Sequence, residues 1–77
     1  MAGLSREEFD VAAREIREAW DRAETRDQAF TLVVDFGRKY GYKNVIAAIQ
    51  GKTPKQFERE TPVVDWVDER KREEATR

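Results

Sequence analysis

Two consecutive helices joined by a glycine are predicted by residues 25–51, TRDQAFTLVVDFGRKYGYKNVIAAIQG. The first helix is predicted over residues 26–40, because Thr25 and Gln28 form a capping box. In such a box the Thr25 hydroxyl accepts the amide of Gln28, and the Gln28 side chain returns to the backbone of Thr25. The apolar residues that follow cover more than half of the helix circumference, a width typical of a helix in the middle of a bundle.

A glycine turn separates this helix from a second, short one. Gly41 fits the left-handed backbone position that ends a helix, and the short helix is predicted over residues 43–50 and ended by Gly51. Gly37 places a small residue where the two helices would cross closely. Together these features outline a helix-turn-helix over residues 26–51.

A longer helix is predicted before this pair, over residues 6–24. Ser5 and Glu8 form its capping box, and apolar residues follow at the three- and four-residue spacing of an amphipathic helix. These apolar residues are Phe9, Ala12, Ala13, Ile16, Ala19, Trp20 and Ala23. The spacing predicts one buried stripe and one charged, solvated face.

Two threonine-proline pairs predict two further helix starts after the helix-turn-helix. Thr53 and Thr61 are the predicted N-caps, and Pro54 and Pro62 are the first helical residues, where the missing amide is not needed. The last helix loses its apolar residues early. Its polar end, residues 68–77, is therefore expected to project into water or to fray.

These elements predict an all-α fold, a compact single-domain bundle of about five short helices spanning residues 1–77. The chain has 77 residues, so its core is thin and a deep substrate cleft is not expected. It contains no Cys and no His, which removes thiol nucleophiles, zinc and iron–sulfur sites and the commonest general base. We therefore predict a protein that is not an enzyme and that uses no metal or cofactor. No membrane span or signal peptide is recognisable, so a cytoplasmic protein is expected.

The charges are segregated along the chain, although the formal net charge is only −1. Residues 36–57 contain five cations and no acid, whereas the segments on both sides are net acidic. The five cations are Arg38, Lys39, Lys43, Lys52 and Lys55. Such a block is either a solvated positive face balanced by nearby acids or the footprint of an anionic partner.

The basic block coincides with the predicted helix-turn-helix, and this coincidence points to DNA. The outer face of the second helix is expected to carry Lys43, Asn44, Ala47 and Gln50. Lys suits guanine, Asn and Gln suit adenine, and Ala allows contact with a thymine methyl group. The flanking residues expected to contact phosphates are Arg38, Lys39, Tyr42, Lys52 and Lys55. We predict a small regulatory protein that binds DNA through the basic segment 38–55.

An alternative is a protein-binding adaptor or inhibitor that uses the same basic surface against an acidic partner. The acidic overall charge supports this alternative, because DNA-binding domains of this size are more often basic. Helix-glycine-helix connections also occur in many small bundles without any binding role.

A homodimer is a further interpretation, either as a DNA-binding dimer or as a subunit of an assembly. Val63, Trp66 and Val67 would supply the contact between the two copies, and a dimer would supply the two half-site readers that helix-turn-helix proteins use. Core packing is the competing interpretation of these residues, because Trp66 also lies on the apolar stripe of its helix.

Overall fold

Four α-helices and one 3₁₀ helix follow one another in the computed structural model, which describes residues 3–76. The elements are α1 (Arg6–Arg22), α2 (Arg26–Tyr40), α3 (Tyr42–Ile49), the 3₁₀ helix (Gln56–Arg59) and α4 (Val63–Ala75). No strand forms within the described range, so the predicted all-α fold is confirmed, with a single 3₁₀ turn as the fifth helix. Across residues 3–76, none of the helices has the length and apolarity that crossing a membrane requires.

Capping boxes start both α1 and α2, as predicted. At α1 the Ser5 hydroxyl accepts the Glu8 amide at 3.1 Å, and the Glu8 carboxylate accepts the Ser5 amide at 3.1 Å. At α2, Thr25 and Gln28 make the same pair of bonds at 3.2 and 3.3 Å. The side-chain and backbone hydrogen bonds with Ser5 lower the pKa of Glu8. Each box satisfies amides that no intrahelical carbonyl reaches.

The core lies where α1, α2 and α3 meet, and α4 packs against α2 and α3. Both α2 and α3 contact each of the other α-helices, in agreement with the wide apolar surface predicted for α2. The largest fully buried side chains are Trp20, Ile16, Val33 and Val45. Among the described residues no polar or charged residue is buried, so the interior is held by apolar packing.

Gly41 alone separates α2 from α3. Its φ of 94° confirms the predicted left-handed position. Its amide donates to the Gly37 carbonyl at 2.8 Å and closes α2, while its own carbonyl accepts the Asn44 amide at 3.1 Å and opens α3. The ring of Tyr42 fills the space that a side chain at position 37 would occupy, so the close approach predicted at Gly37 is confirmed.

The segment after α3 differs from its prediction. The prediction that Thr53 and Pro54 start a helix is wrong, because the 3₁₀ helix begins only at Gln56. The Lys55 amide donates to the Glu58 carboxylate at 2.8 Å, so Glu58 takes the capping role expected of Gln56. The backbone of Lys55 itself is extended, and its side chain is held at the C-terminus of α1.

The polar end of the last helix also differs from its prediction. Residues 68–75 remain helical, and two of them dock onto neighbouring helices. The Arg70 guanidinium lies 5.2 Å from the centre of the Phe30 ring, and Glu74 accepts the Tyr42 hydroxyl at 2.6 Å. Fraying is therefore contradicted as far as Ala75, whereas most side chains between Asp68 and Thr76 are exposed, as expected of an end that projects into water. The part of the expectation that falls on Arg77 lies outside the described residues.

Candidate nucleic-acid interface

A groove of about 540 Å³ lies at the junction of α2 and α3. Four cationic side chains from three helices line it: Arg38, Lys39, Lys43 and Lys71. We call this feature the basic groove. Three of its cations were predicted as binding residues, and Lys71 is added by the docking of α4.

The single-residue connection brings these cations together. Arg38 and Lys39 occupy the last turn of α2, where cations interact favourably with the negative end of the helix dipole. Lys43 lies in the first turn of α3, only two residues beyond Gly41. Because one glycine joins the helices, the end of α2 and the start of α3 face the same groove.

Lys39 is held in place by an aromatic ring and a nearby carboxylate. Its ammonium lies 5.0 Å from the centre of the Tyr40 ring, and the Tyr40 hydroxyl donates to Glu15 at 2.8 Å. The hydrogen bond with the Tyr40 side chain, followed by the charges of Tyr40 and Glu15, raises the pKa of Lys39. Lys39 therefore stays cationic throughout the neutral pH range.

Arg38 and Tyr42 share one carboxylate, that of Glu74. The Tyr42 hydroxyl donates to Glu74 Oε1 at 2.6 Å, and Arg38 Nε lies 3.7 Å from the same oxygen. Burial and then the bond to Glu74 raise the pKa of Tyr42. Tyr42 is only 8% exposed, so it is a core residue whose hydroxyl already has a partner. Its hydroxyl is therefore not open to a phosphate as long as Glu74 accepts from it.

Three of the four predicted base-reading residues are exposed on α3 or directly after it. Lys43 and Ala47 are exposed four residues apart on one face of α3. Gln50 is also exposed, as the C-cap residue with extended backbone just beyond the helix. Asn44 is half-buried, and its Nδ2 donates to the Tyr40 carbonyl at 2.6 Å. The Asn44 side chain therefore supplies a hydrogen bond to a carbonyl at the end of α2, and it is not exposed as the other three side chains are.

Lys52 and Lys55, both predicted as phosphate contacts, lie at the C-terminus of α1. The Lys52 ammonium forms a 2.8 Å salt bridge with Asp21. The Lys55 ammonium donates to the Ala23 carbonyl at 2.5 Å and to the Asp21 carbonyl at 3.2 Å. These bonds satisfy carbonyls that have no partner within α1. The two lysines thus stabilise the bundle and are not brought into the basic groove.

Replacement of Lys55 by alanine is expected to lower the free energy of unfolding by about 1–2 kcal/mol, because two helix-terminal carbonyls lose a cationic donor. The salt dependence of duplex binding should not change. Urea denaturation and fluorescence anisotropy would measure the two quantities, with Lys43→Ala as the control that keeps stability. Unchanged stability together with a weaker salt dependence would restore Lys55 as a phosphate contact.

The residues predicted as a dimer contact are buried within one chain. Val63, Trp66 and Val67 all belong to the core, and the rings of Phe30 and Phe57 lie beside Trp66. Core packing is therefore the interpretation that the structure supports. A surface contact between two copies through these three residues does not fit their burial.

Lys71 and Glu74 are the site residues that the sequence interpretation missed. Both lie in the polar segment expected to fray, more than 25 positions from the residues they approach. A signal was present, because Arg70 and Glu74 continue the four- and three-residue spacing that begins at Val63 and Val67. If this spacing is followed beyond Val67, it predicts that the whole of α4 packs against the other helices.

No family model matches the sequence, and searches of curated proteins and of solved structures gave no match. Within residues 3–76, no three acidic side chains are grouped so as to hold a metal ion.

Proposed function

We propose that this protein binds duplex DNA, with the exposed face of α3 towards the major groove and the basic groove against the phosphates. The observation that supports this proposal most is the convergence of Arg38, Lys39, Lys43 and Lys71 on one groove at the start of α3. Cations from separate helices are suited to neutralise successive phosphates, which supply most of the affinity of such contacts.

The side chains on the outer face of α3 suit base edges. Lys43 can donate to guanine O6 and N7, and Gln50 can pair with adenine through both of its amide groups. Ala47 lies between them and leaves room for a thymine methyl group. All three are exposed on α3 or directly after it, so we expect a single approach to the major groove to present them together.

Acidic residues on α1 restrict how DNA can approach the groove. Leu4 and Tyr40 line the basic groove and also a second pocket, whose other lining residues include Glu7 and Glu8. These carboxylates would repel phosphates on that side. A duplex is therefore expected to lie along α3 and α4, away from the N-terminal turn of α1.

Anisotropy of a labelled random-sequence duplex, titrated at several salt concentrations, tests the proposal. We expect binding that weakens with salt with a slope corresponding to about three to four phosphate contacts. Lys43→Ala and Lys71→Ala should each reduce that slope by about one and weaken binding by roughly three- to tenfold at about 50 mM salt. Arg14→Ala is the matched control, because it removes the same charge from the exposed face of α1.

Equal losses in Lys71→Ala and Arg14→Ala would mean that net charge, not the basic groove, drives binding. The absence of any duplex binding at about 50 mM salt would overturn DNA as the partner. In a second experiment, Gln50→Ala should flatten the base preference found by site selection while leaving the salt slope unchanged.

The second candidate function is binding of an acidic protein surface through the same basic groove. The observation that favours it is an apolar pocket beside Gln50, lined by Ile46, Pro62 and Val64. Val64 is 48% exposed, and contact with the phosphates of a duplex would not bury this apolar side chain. The Val64→Ser variant should bind an acidic protein partner more weakly than the wild-type protein does, whereas its affinity for a duplex should not change.

A further inference from the structure

The carboxylate of Glu74 is held by two donors that both line the basic groove. Tyr42 donates its hydroxyl to Glu74 Oε1 at 2.6 Å, and the Arg38 guanidinium lies 3.7 Å from the same oxygen. Tyr42 is packed in the core, so the direction of its hydroxyl is fixed. Arg38 is 60% exposed and can turn towards another partner without moving the backbone.

We propose that Arg38 and the Tyr42 hydroxyl form an anion-binding subsite, which Glu74 occupies until a phosphate of the ligand displaces it. The inference rests on the proposed function in taking that phosphate to belong to DNA. Glu74 is then an internal competitor that weakens binding of loosely fitting anions.

The chemistry of the three groups makes the exchange possible. Carboxylate and phosphate oxygens both accept from a tyrosine hydroxyl and from a guanidinium, so a phosphate can take over the same donors. The distance of 3.7 Å between Arg38 and Glu74 exceeds the roughly 2.7–2.9 Å of a strong charge-assisted hydrogen bond. The cation is therefore only loosely engaged.

The position of Glu74 also means that its release from Arg38 and Tyr42 costs little free energy. Glu74 lies in the last turn of α4, and its side chain is 35% exposed. Side chains at helix ends change conformation more readily than those in the middle of a helix. Lys71 lies one turn earlier on α4, so it can stay in the basic groove while Glu74 moves away.

The test replaces Glu74 by glutamine, which keeps an oxygen that can accept from Tyr42 and removes the negative charge. We expect Glu74→Gln to bind the duplex about fivefold more tightly at low salt, with a salt slope greater by about one. Glu73→Gln is the matched control. It removes the same charge one residue away, where the carboxylate pairs with Arg70 at 3.2 Å, and should change affinity less than twofold.

A second measurement uses inorganic phosphate as the probe and follows the Arg38 Nε–H resonance by NMR. Glu74→Gln should bind phosphate more tightly than Glu73→Gln. Far-UV circular dichroism at increasing temperature checks that both variants remain folded.

The two measurements separate the inference from the proposed function. Equal behaviour of the two variants towards phosphate overturns the inference, whatever the duplex data show. A phosphate response specific to Glu74→Gln, without duplex binding by any variant, supports the subsite and overturns DNA as its ligand.

Discussion

Replacement of Gly37 by alanine is expected to lower the free energy of unfolding by about 1–3 kcal/mol, although alanine is the better helix former. A β-carbon at position 37 would overlap Cδ1 and Cε1 of the Tyr42 ring and would lie 3.0 Å from its Cγ. Carbon atoms in contact are normally about 3.5–4.0 Å apart. The ring or one of the helices must therefore move by more than an ångström.

The Tyr42 ring has little freedom to make that movement. It belongs to the core, its hydroxyl is bonded to Glu74, and its backbone follows immediately after Gly41. The clash therefore separates α2 from α3 at the junction that builds the basic groove. Urea denaturation would measure the loss of stability, and binding of the duplex should weaken together with it.

A double-mutant cycle distinguishes this clash from a loss of stability that any side chain at position 37 would cause. In a Tyr42→Ala background the ring is gone, so Gly37→Ala should be neutral or stabilising by about 0.5–1 kcal/mol through helix propensity. The sign of the effect should thus reverse between the two backgrounds. A stabilising Gly37→Ala in the wild-type protein would contradict the packing that the structure describes.

Local signals in the sequence were sufficient to predict most of the helices. The capping boxes at Ser5 and Thr25 depend only on residues three positions apart, and both are formed. Gly41 was predictable for the same reason, because a positive φ is a property of one residue and its neighbours. The start of the 3₁₀ helix was missed, although the Glu58 carboxylate that accepts the Lys55 amide is also only three positions away.

The end of α4 shows where pattern reading fails. Arg70 and Glu74 are charged, and hydropathy alone assigns such residues to water. The guanidinium of Arg70 nevertheless lies over the Phe30 ring, and Glu74 accepts the hydroxyl of Tyr42, 32 residues away in the chain. Long side chains with an apolar stem and a satisfied head group can continue a buried stripe, and only their partners in the fold show that they do.

The candidate site was predictable only in part for a similar reason. Sequence identifies Lys43 and Lys55 equally well as cations, but it does not show which carbonyls or carboxylates lie near them. Lys43 faces the basic groove, whereas Lys55 binds the end of α1. Two of the five cations of the charge block, Lys52 and Lys55, are thus held outside the basic groove.

Replacement of Trp66 by alanine is expected to lower the free energy of unfolding by about 3–5 kcal/mol. A domain of this length is stabilised by about 4–12 kcal/mol in total, so the variant loses a large part of that stability and unfolds substantially if the wild-type value lies at the lower end of this range. Trp66 is only 2% exposed, and its ring centre lies 6.0 Å from that of Phe30 and 6.1 Å from that of Phe57. Its removal leaves a cavity between α2, α4 and the 3₁₀ helix.

Phenylalanine at position 66 is the matched control. Among the described residues Trp66 Nε1 is buried and has no hydrogen-bond acceptor, so Trp66→Phe sacrifices no bond and keeps an aromatic ring against Phe30. We expect it to cost only about 1 kcal/mol. Urea denaturation followed by far-UV circular dichroism would measure both variants at several protein concentrations.

The dimer interpretation of Trp66 makes the opposite prediction. If the ring joined two copies, Trp66→Ala would yield a folded monomer, and the stability of the wild-type protein would rise with its concentration. If Trp66 fills the core of one chain, the unfolding midpoint of the wild-type protein is independent of protein concentration. Trp66→Ala then loses its fold, and no folded monomer is released from a dimer. Sedimentation of the wild-type protein and of Trp66→Phe at matched concentrations decides between these two roles, because a core residue replaced by a smaller aromatic ring leaves the sedimentation coefficient unchanged.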